Sequence, residues 1–484
     1  MNDTGTHDHR EAGPMSRSHA TVTITLVALI TIIAFESLAI STVMPAAAAE
    51  LGAGTRYGLA FSSMVTAQLL GIVVAGAWIG RVGPVLPTWL GQALFAAGSL
   101  AAGLAPSFEL LLAGRVVAGL GAGLVVVALY VVVGSAYPES ARPRVFAWMS
   151  AAWVLPSIIG PLLAALLAQV WSWRAVFLVV VPAVALTAAG LFANRRRLGA
   201  GRSEGSGTAG RDADVTGPTG RGPARTTYPS ARRTVWLGLA VAAGAALFQW
   251  AGTDLVPPRP LYVGGALLGL VVLGLAARPL LPPGTGRLRR GLPAVVAARF
   301  ALAASFNGAM TYVPLMLVAA RGLQPSAAGA VLALASIGWT AGAWLQGRPR
   351  FDPRHAPVLA AGGACVTAGL AGLAATAATG APIAVMIVSA AALGLGMGLG
   401  TTAVSVLVLH LAPPSQHAQA SSAMSLSDAL GATVGLATAG TLYATLVTDD
   451  PATSSDFAWF WAATAVVGVL ALVAGVRSTQ RART

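Results

Sequence analysis

The strongest constraint on the fold is a succession of apolar runs, each long enough to cross a lipid bilayer. A helix rises 1.5 Å per residue, so about 20 apolar residues span the hydrocarbon core. Because backbone polar groups inside a bilayer must be paired within a helix, such runs predict a polytopic all-α membrane protein. We place fourteen runs at 22–45, 58–80, 85–105, 109–134, 145–169, 175–194, 234–252, 260–277, 293–317, 326–346, 357–377, 382–409, 422–446 and 457–476.

Composition supports this class and argues against a nucleic-acid partner. Only 10% of the 484 residues are charged and 56% are hydrophobic, whereas a soluble domain carries about 25% charged residues. The net charge of +14 would suit phosphate binding, but the 30 basic residues are all Arg and most lie in short loops. A single cysteine, Cys365, excludes a disulfide within one chain. The first apolar run is too long for a signal-peptide core, so we expect no cleavage.

The loop arginines predict the orientation in the membrane. With the N-terminus inside, 24 arginines fall in inner segments and four, Arg56, Arg174, Arg259 and Arg321, in outer loops. Cytoplasmic loops carry the excess of positive charge, and a missed span would disrupt this alternation. The sequence therefore predicts an even number of spans, both termini in the cytoplasm, and a multi-pass protein of the cell inner (plasma) membrane.

The runs group as six, two and six, with a polar segment after the sixth. The segment 195–233 is rich in Arg and Gly, which predicts a disordered cytosolic hinge, with a regulatory role as the alternative. The letters AGAW recur at 75–78 and 341–344, where the second and tenth runs end, and suggest two related halves. The predicted organisation is an N-terminal cytosolic tail, a six-helix bundle, the linker, two extra helices, a second six-helix bundle and a C-terminal tail, at 1–21, 22–194, 195–233, 234–278, 279–476 and 477–484.

One acidic residue, Glu36, lies about halfway along the first apolar run. An ionised side chain at mid-membrane costs at least about 2.5 to 3.5 kcal/mol, so it normally faces a bundle interior or a wet cavity and has a partner. We therefore interpret Glu36 as a proton-exchanging residue. The alternative is an acid that only hydrogen-bonds a neighbouring helix.

Arg115, in the fourth run, is the expected partner of Glu36. A permanently charged guanidinium at that depth needs an acceptor. Burial favours the protonated form of a carboxyl and a nearby cation favours the ionised form, so the pair could load and release protons. A fixed structural pair or a snorkelling Arg115 are the alternatives. Gly119, Gly121 and Gly123 follow along the helix and predict close helix packing.

Two further groups lie within apolar runs. Pro156, Gly160 and Pro161 predict a kinked fifth helix at the interface between the halves. In the second half, Arg299 and Asp428 are the charged residues that we place inside runs. Asp428 is interpreted either as a second proton or substrate site or as a shallow acid that caps the thirteenth helix.

The chain resembles major facilitator superfamily transporters of the fourteen-span drug/proton antiporter branch, over nearly its whole length apart from the tails and the linker. In that branch the first span carries an acid nine residues before a Pro, which Glu36 and Pro45 match, with Glu in place of the usual Asp. The fourth-span motif is an Arg, a Gly four residues later and another Gly two beyond. Arg115, Gly119 and Gly121 match it.

Two other family motifs are matched only in part. The fifth-span antiporter motif, G-x-x-x-G-P-x-x-G-G, is present at Gly160 and Pro161, but Pro156 stands at its first Gly. The inner gating loop after the second span keeps the family pattern at three positions, namely Gly76, Arg81 and Gly83. Gly80 stands where that pattern has an Asp, which in the family helps to latch the inner gate, so the usual latch is altered here.

The resemblance implies a major-facilitator-like fold of two six-helix bundles plus two extra central helices, about fourteen transmembrane helices in all. It also implies a proton-coupled antiporter that exports amphiphilic small molecules such as drugs or antibiotics by alternating access. Glu36 would carry the proton, Arg115 would tune it, and residues 156–161 would keep the path from leaking. The partners would be a small-molecule substrate, protons and the lipid bilayer, and the protein would be a monomer.

Three alternatives remain at the level of the sequence. A single-metabolite exporter would share this architecture, and the altered gating loop leaves a transport-inactive membrane sensor open. A membrane-embedded enzyme would need paired carboxylates or metal ligands at the membrane surface, and the six His residues form no such pattern. We therefore expect no catalytic residue, no metal and no cofactor.

Overall fold

The computed structural model describes residues 20–137, 145, 148–149, 152–193, 231–252, 259–346, 355–412, 417–446 and 453–478. The predicted linker up to residue 230, and most of both predicted tails, lie outside these ranges. The described α-helices are α1 Ala20–Glu50, α2 Leu59–Val82, α3 Val85–Gly103, α4 Phe108–Ala136, α5 Val154–Val170, α6 Arg174–Leu178, α7 Val180–Ala193, α8 Ala231–Gly252, α9 Pro260–Ala277, α10 Leu292–Leu315, α11 Pro325–Gln346, α12 His355–Thr379, α13 Ile383–Leu411, α14 His417–Leu446 and α15 Asp456–Arg477.

The described helices follow the predicted runs closely. Thirteen spans in this part of the chain are long and apolar enough to cross a membrane, with α6 and α7 together forming one of them. The one remaining predicted run, the fifth at 145–169, corresponds to α5, a shorter apolar helix preceded by a turn at Ala152 and Trp153. The all-α polytopic fold with about fourteen spans is therefore confirmed.

Short connections hold consecutive helices antiparallel at the start of the chain. After α1, Gly52 and Gly54 adopt positive φ angles of 63° and 52°, and a 3-10 turn, Gly54–Gly58, leads directly into α2. Between α2 and α3 stand only Gly83, with φ 78°, and Pro84. A left-handed backbone is cheap only for Gly, so Gly83 permits this sharp reversal.

The helices pack as two bundles of equivalent order. In the first half α4 packs on α2 and α3, and α1 packs on α5 and α7. In the second half α13 packs on α11 and α12, and α10 packs on α14 and α15. The bundles meet where α5 packs on α11 and where α2 packs on α14.

The two extra helices cover one of these two seams. Helix α8 packs on α2 from the first half and on α14 from the second, and α9 packs on α8. The buried Gln249 of α8 donates a hydrogen bond from Nε2 to Oγ1 of the buried Thr66 in α2, at 2.8 Å. Such a polar contact in an apolar environment fixes how α8 is rotated against α2.

The two ends of the molecule differ in how the halves meet. We call the end at which α1 ends and α2 begins the Tyr57 end. A buried apolar cluster that joins both halves takes only residues 39–48 from α1. The buried α1 residues between 22 and 33 belong to another cluster, whose described members all lie in the first half. The halves are therefore closed against each other at the Tyr57 end.

Candidate proton-coupling site

Glu36 and Arg115 form an ion pair inside the first half. Helix α1 places Glu36 near its middle with 1% of its surface exposed, and α4 places Arg115 two turns from its start with 2% exposed. Arg115 Nη1 donates to Glu36 Oε1, and Arg115 Nε donates to the backbone carbonyl of Ala60 in α2 at 2.9 Å. The predicted partnership is therefore present in the structure and includes a third helix.

One oxygen of the Glu36 carboxylate accepts no hydrogen bond in the described part of the structure. Glu36 Oε2 is buried and has no hydrogen-bond partner among the described residues. A buried acceptor without a donor costs free energy, whereas a proton on Oε2 would convert that oxygen to a neutral hydroxyl. The arrangement combines a cation that holds the ionised carboxylate with a desolvated oxygen that favours the protonated one.

The glycines after Arg115 bring α4 close to its neighbours. A Cβ at Gly119 would lie 2.3 Å from the carbonyl oxygen of Met64 in α2, and one at Gly123 would lie 2.2 Å from that of Gln68. A Cβ at Gly121 would lie 2.4 Å from a carbonyl oxygen of α3. These distances leave no room for a side chain, so the predicted packing role is confirmed. The close approach of α2 brings the Ala60 carbonyl within reach of Arg115.

The second half repeats this packing in α13, which is the fourth helix of its bundle. Cβ atoms at Gly394 and Gly398 would lie 1.9 and 2.0 Å from carbonyl oxygens of α11, and one at Gly396 would lie 2.5 Å from a carbonyl oxygen of α12. The same alternation, second helix, third helix, second helix, occurs around α4. The spacing of these glycines in the sequence is a signal of the internal repeat that our sequence analysis did not use.

Asp428 forms an ion pair with Arg299 in the second half. Oδ1 of Asp428 in α14 lies 2.9 Å from Nε of Arg299 in α10, with the two side chains 39% and 17% exposed. Helix α14 begins at His417, three turns earlier, so Asp428 does not cap it. Of the two interpretations of Asp428, a second proton or substrate site therefore stays as a proposal. This acid lies in the opposite half of the molecule from Glu36.

The antiporter-motif residues lie on α5, between α1 and the second half. Pro156 and Gly160 are buried, and Pro156 falls in the first turn of α5, where an N–H would be unpaired in any case. Pro161 is the proline inside the helix. Its carbonyl oxygen would lie 3.0 Å from a Cβ at Gly329 in α11. The motif therefore faces the interface between the halves, and of its two prolines Pro161 is the one inside the described helix.

The gating-loop residues lie at the opposite end from Tyr57. Gly76 has open space around it, so no packing contact requires a Gly there. Gly83 ends α2 and donates its N–H to the carbonyl of Ile79 at 2.8 Å. Arg81 is in the last turn of α2, and its side chain lies outside the described part of the structure. Their gating role stays a prediction.

The sequence analysis missed an aromatic cluster at the Tyr57 end. Tyr57 lies 5.4 Å from Tyr312, and Tyr312 lies 5.0 Å from Tyr443, measured between ring centroids. Tyr57 belongs to the first half and the other two rings to the second. Tyr57 Oη also donates to the carbonyl of Thr311 in α10 at 3.1 Å. No local pattern marks these tyrosines, because Tyr57 lies more than 250 residues before its partners in the second half.

Two ion pairs accompany the cluster on the surface of this end. Glu50, the last residue of α1, accepts from Arg174 Nη1 at 2.6 Å and from Trp173 Nε1 at 2.7 Å. Arg56 Nη1 donates to Glu109, at the start of α4, at 2.7 Å. Within the described residues, no three His, Cys, Asp or Glu side chains lie close enough together to hold a metal ion.

Two helical bundles, a seam-covering helix pair and a buried ion pair between bundle helices define the class: a polytopic membrane protein with the architecture of a secondary transporter. The sequence model of the Major Facilitator Superfamily matches residues 25–381. The chain belongs to the major facilitator superfamily, which is a family of transporters and not of enzymes.

Relatives and solved structures agree with this assignment. A probable multidrug-efflux transporter of Mycobacterium tuberculosis is 28% identical over 454 residues, which cover 90% of each chain. The multidrug efflux pump SdrM of Staphylococcus aureus is 30% identical over 162 residues, 33% of this chain and 36% of SdrM. The fold is similar to that of a peptide transporter, POT, with a TM-score of 0.64 over 94% of both chains at 16% identity. The xylose transporter XylE from E. coli gives a TM-score of 0.58 at 13% identity over 94% of this chain and 97% of XylE.

Proposed function

We propose that the protein is a proton-coupled antiporter that exports amphiphilic small molecules, such as drugs or antibiotics, across the plasma membrane. The observation that carries the proposal is the buried Glu36–Arg115 pair with its unpartnered carboxylate oxygen. Intramembrane ionisable residues mark ion and substrate pathways by default. The multidrug-efflux names of the similar transporters support the substrate class.

Glu36 is the proposed proton carrier and Arg115 the cation that returns it to the ionised state. Asp428, paired with Arg299, is a proposed second proton or substrate site. The arginine distribution supports a cytoplasmic location of both termini, and in that orientation the closed Tyr57 end faces outwards. Proton entry through such a site supplies about 2.3 kcal/mol per charge for each 100 mV of membrane potential.

The test is substrate-dependent proton movement in proteoliposomes with an imposed pH gradient. A panel of lipophilic cations, including ethidium and tetraphenylphosphonium, is added to wild type and to Glu36→Gln. We expect the wild type to dissipate the gradient when a substrate is added. The rate of dissipation by Glu36→Gln should be at least tenfold lower. Glu109→Gln, which removes an exposed carboxylate at the Tyr57 end, is the matched control and should behave as wild type.

Other outcomes would separate the alternatives. Equal proton movement in wild type and Glu36→Gln would exclude Glu36 as the carrier. Binding of a panel compound without any proton movement in the wild type would favour a transport-inactive sensor, and would fit the Gly80 replacement in the gating loop. Response to a single compound of the panel would favour an exporter of one metabolite class over broad drug export.

A further inference from the structure

The segment 57–60, which we call the α2 entry turn, contacts both the buried ion pair and the other half of the molecule. The Ala60 carbonyl accepts from Arg115 Nε at 2.9 Å. Tyr57, three residues earlier, donates from Oη to the Thr311 carbonyl of α10 at 3.1 Å. One turn of chain therefore joins the proposed proton site to the contact that closes the Tyr57 end.

The α2 entry turn is continuous with helix α2. Its 3-10 part runs into α2 without a break, and the Leu59 N–H caps it by donating to the carbonyls of Arg56 and Tyr57. Gly58 lies so close to the second half that a Cβ there would come within 2.2 Å of Tyr312 Oη and 3.1 Å of the Gly440 Cα. A shift at Ala60 would therefore be transmitted to Tyr57 and to the packing against Tyr312.

We propose that the α2 entry turn couples the charge of Glu36 to closure of the Tyr57 end, an inference that rests on the proposed antiport. Among the described residues, the charged neighbour of Glu36 is Arg115. An ionised Glu36 holds the guanidinium where Nε reaches Ala60, and the turn then keeps Tyr57 on Thr311. A neutral Glu36 leaves the buried guanidinium short of an acceptor, so Arg115 reorients and releases the turn.

This coupling prevents an empty carrier from leaking. The ionised, substrate-free protein stays closed at the Tyr57 end, and opening requires that a bound cationic substrate or a proton compensates the charge of Glu36. A ligand or proton can shift such an equilibrium only through different contacts in the two states, and the Arg115–Ala60 hydrogen bond supplies that difference.

The experiment measures opening of the Tyr57 end directly, without substrate or proton gradient. Nitroxide labels are placed at Leu104→Cys and Val385→Cys, two exposed sites (61% and 43%) at this end of the two halves, in a Cys365→Ala background. Electron double-resonance distances in nanodiscs give the ratio of open to closed molecules for each variant. Wild type should give mainly the short, closed distance.

Two substitutions remove the two contacts of the turn. Tyr57→Phe keeps the ring and loses the hydrogen bond to Thr311, and should raise the open-to-closed ratio about fivefold, the range of one neutral hydrogen bond. Arg115→Lys keeps a positive charge opposite Glu36 but lacks the Nε donor to Ala60, and should raise the ratio to a similar extent. Tyr262→Phe is the matched control, since it removes a tyrosine hydroxyl in α9, where the ring contacts Trp250 and not the cluster at this end, and it should leave the ratio unchanged.

The combined variant decides the proposal. If the turn carries the coupling, the open-to-closed ratio of the double variant Tyr57→Phe with Arg115→Lys is no higher than that of the more open single variant. Likewise, adding Glu36→Gln to Tyr57→Phe does not raise the ratio further. If the effects of the single variants on the ratio multiply in the double variant, the two contacts act independently, which would overturn the inference. A failed transport assay with non-additive opening would overturn the antiport proposal alone, whereas successful antiport with multiplying effects would overturn only the coupling.

Discussion

At the residue scale, Glu36 and Arg115 differ in what it costs to bury each of them without its partner. A buried carboxyl can take up a proton and become neutral, whereas a guanidinium stays charged at any physiological pH. Removing one partner of a buried pair costs about 3 to 5 kcal/mol because an uncompensated charge remains, and replacing both partners costs less. The Ala60 carbonyl offers Arg115 only one further acceptor.

We therefore predict an unequal effect of breaking the pair from its two sides. Glu36→Leu should lower the unfolding temperature in detergent more than Arg115→Met, and Glu36→Leu with Arg115→Met should recover most of the loss. Arg56→Met, which breaks the exposed pair with Glu109, is the control and should cost no more than about 1 kcal/mol. Losses that simply add in the double variant would contradict a buried, mutually compensating pair.

Sequence alone predicted this pair because two charges in apolar helices of one bundle need each other. It could not predict Ala60, since a backbone carbonyl carries no residue-type signal. Arg299 and Asp428 were both placed inside spans, but their pairing was not foreseen, because the sequence does not show which faces of α10 and α14 meet. Tyr57 was missed for the same reason, as its partners come from the other half.

At the scale of elements, α4 and α13 each place glycines alternately against the second and third helices of their bundle. An added methyl group at Gly123 would meet the Gln68 carbonyl at 2.2 Å, a contact that only movement of the α2 backbone could relieve. Helix backbones that approach this closely gain their stability from van der Waals packing. Loss of that packing should be felt along the whole α2–α4 interface.

We predict opposite signs for two Gly→Ala substitutions. Gly123→Ala should lower the unfolding temperature, because the overpacked methyl group should reduce the free energy of unfolding by about 2 kcal/mol or more. Gly264→Ala in α9, where nothing lies within 4 Å of the added atom, should be neutral or stabilising by up to about 1 kcal/mol through helix propensity. Scanning fluorimetry of both variants in one detergent checks the pair. A loss at Gly264 equal to that at Gly123 would show that helix packing is not what distinguishes them.

Element boundaries were predicted to within a few residues, because apolar length decides where a membrane helix stops. The exception is the fifth span, where the run from residue 145 reads as one helix and the described helix starts at Val154. Pro156 has no N–H to donate to the carbonyl of Ala152, four residues earlier, and the described helix begins directly after the turn at Ala152 and Trp153. The effect of a proline depends on its place in a helix, which the apolar pattern does not give.

At the scale of the whole molecule, the span number followed from hydropathy and arginine placement, and the two-bundle order from the grouping of the spans, the repeated AGAW letters and the family resemblance. The sequence did not predict at which end of the molecule the two halves are closed against each other. Closure depends on contacts such as Tyr57 with Thr311, 254 residues apart in the sequence, and on α8 covering the seam between α2 and α14. Transporters rock between arrangements of the same helices, so one sequence encodes more than one set of contacts between the halves.

Closure at the Tyr57 end can be fixed by a cross-link between the halves. A Cβ at Gly329 in α11 would lie 3.2 Å from Cγ2 of Thr42 in α1, so side chains at these two positions come into direct contact, as a disulfide requires. In a Cys365→Ala background, Thr42→Cys with Gly329→Cys should therefore oxidise readily within one chain. Because α1 and α11 belong to different halves, the bond should stop transport by preventing this end from opening.

Reduction supplies the decisive comparison. The oxidised double variant should retain less than a tenth of its reduced transport rate in proteoliposomes, and a reductant should restore the rate in the same vesicles. Thr42→Cys and Gly329→Cys alone should respond to neither oxidant nor reductant, which separates the cross-link from the loss of the Thr42 hydroxyl or the added atom at Gly329. Full transport by fully oxidised protein would mean that α1 and α11 stay in contact throughout the cycle, and that the halves move about this contact and not away from it.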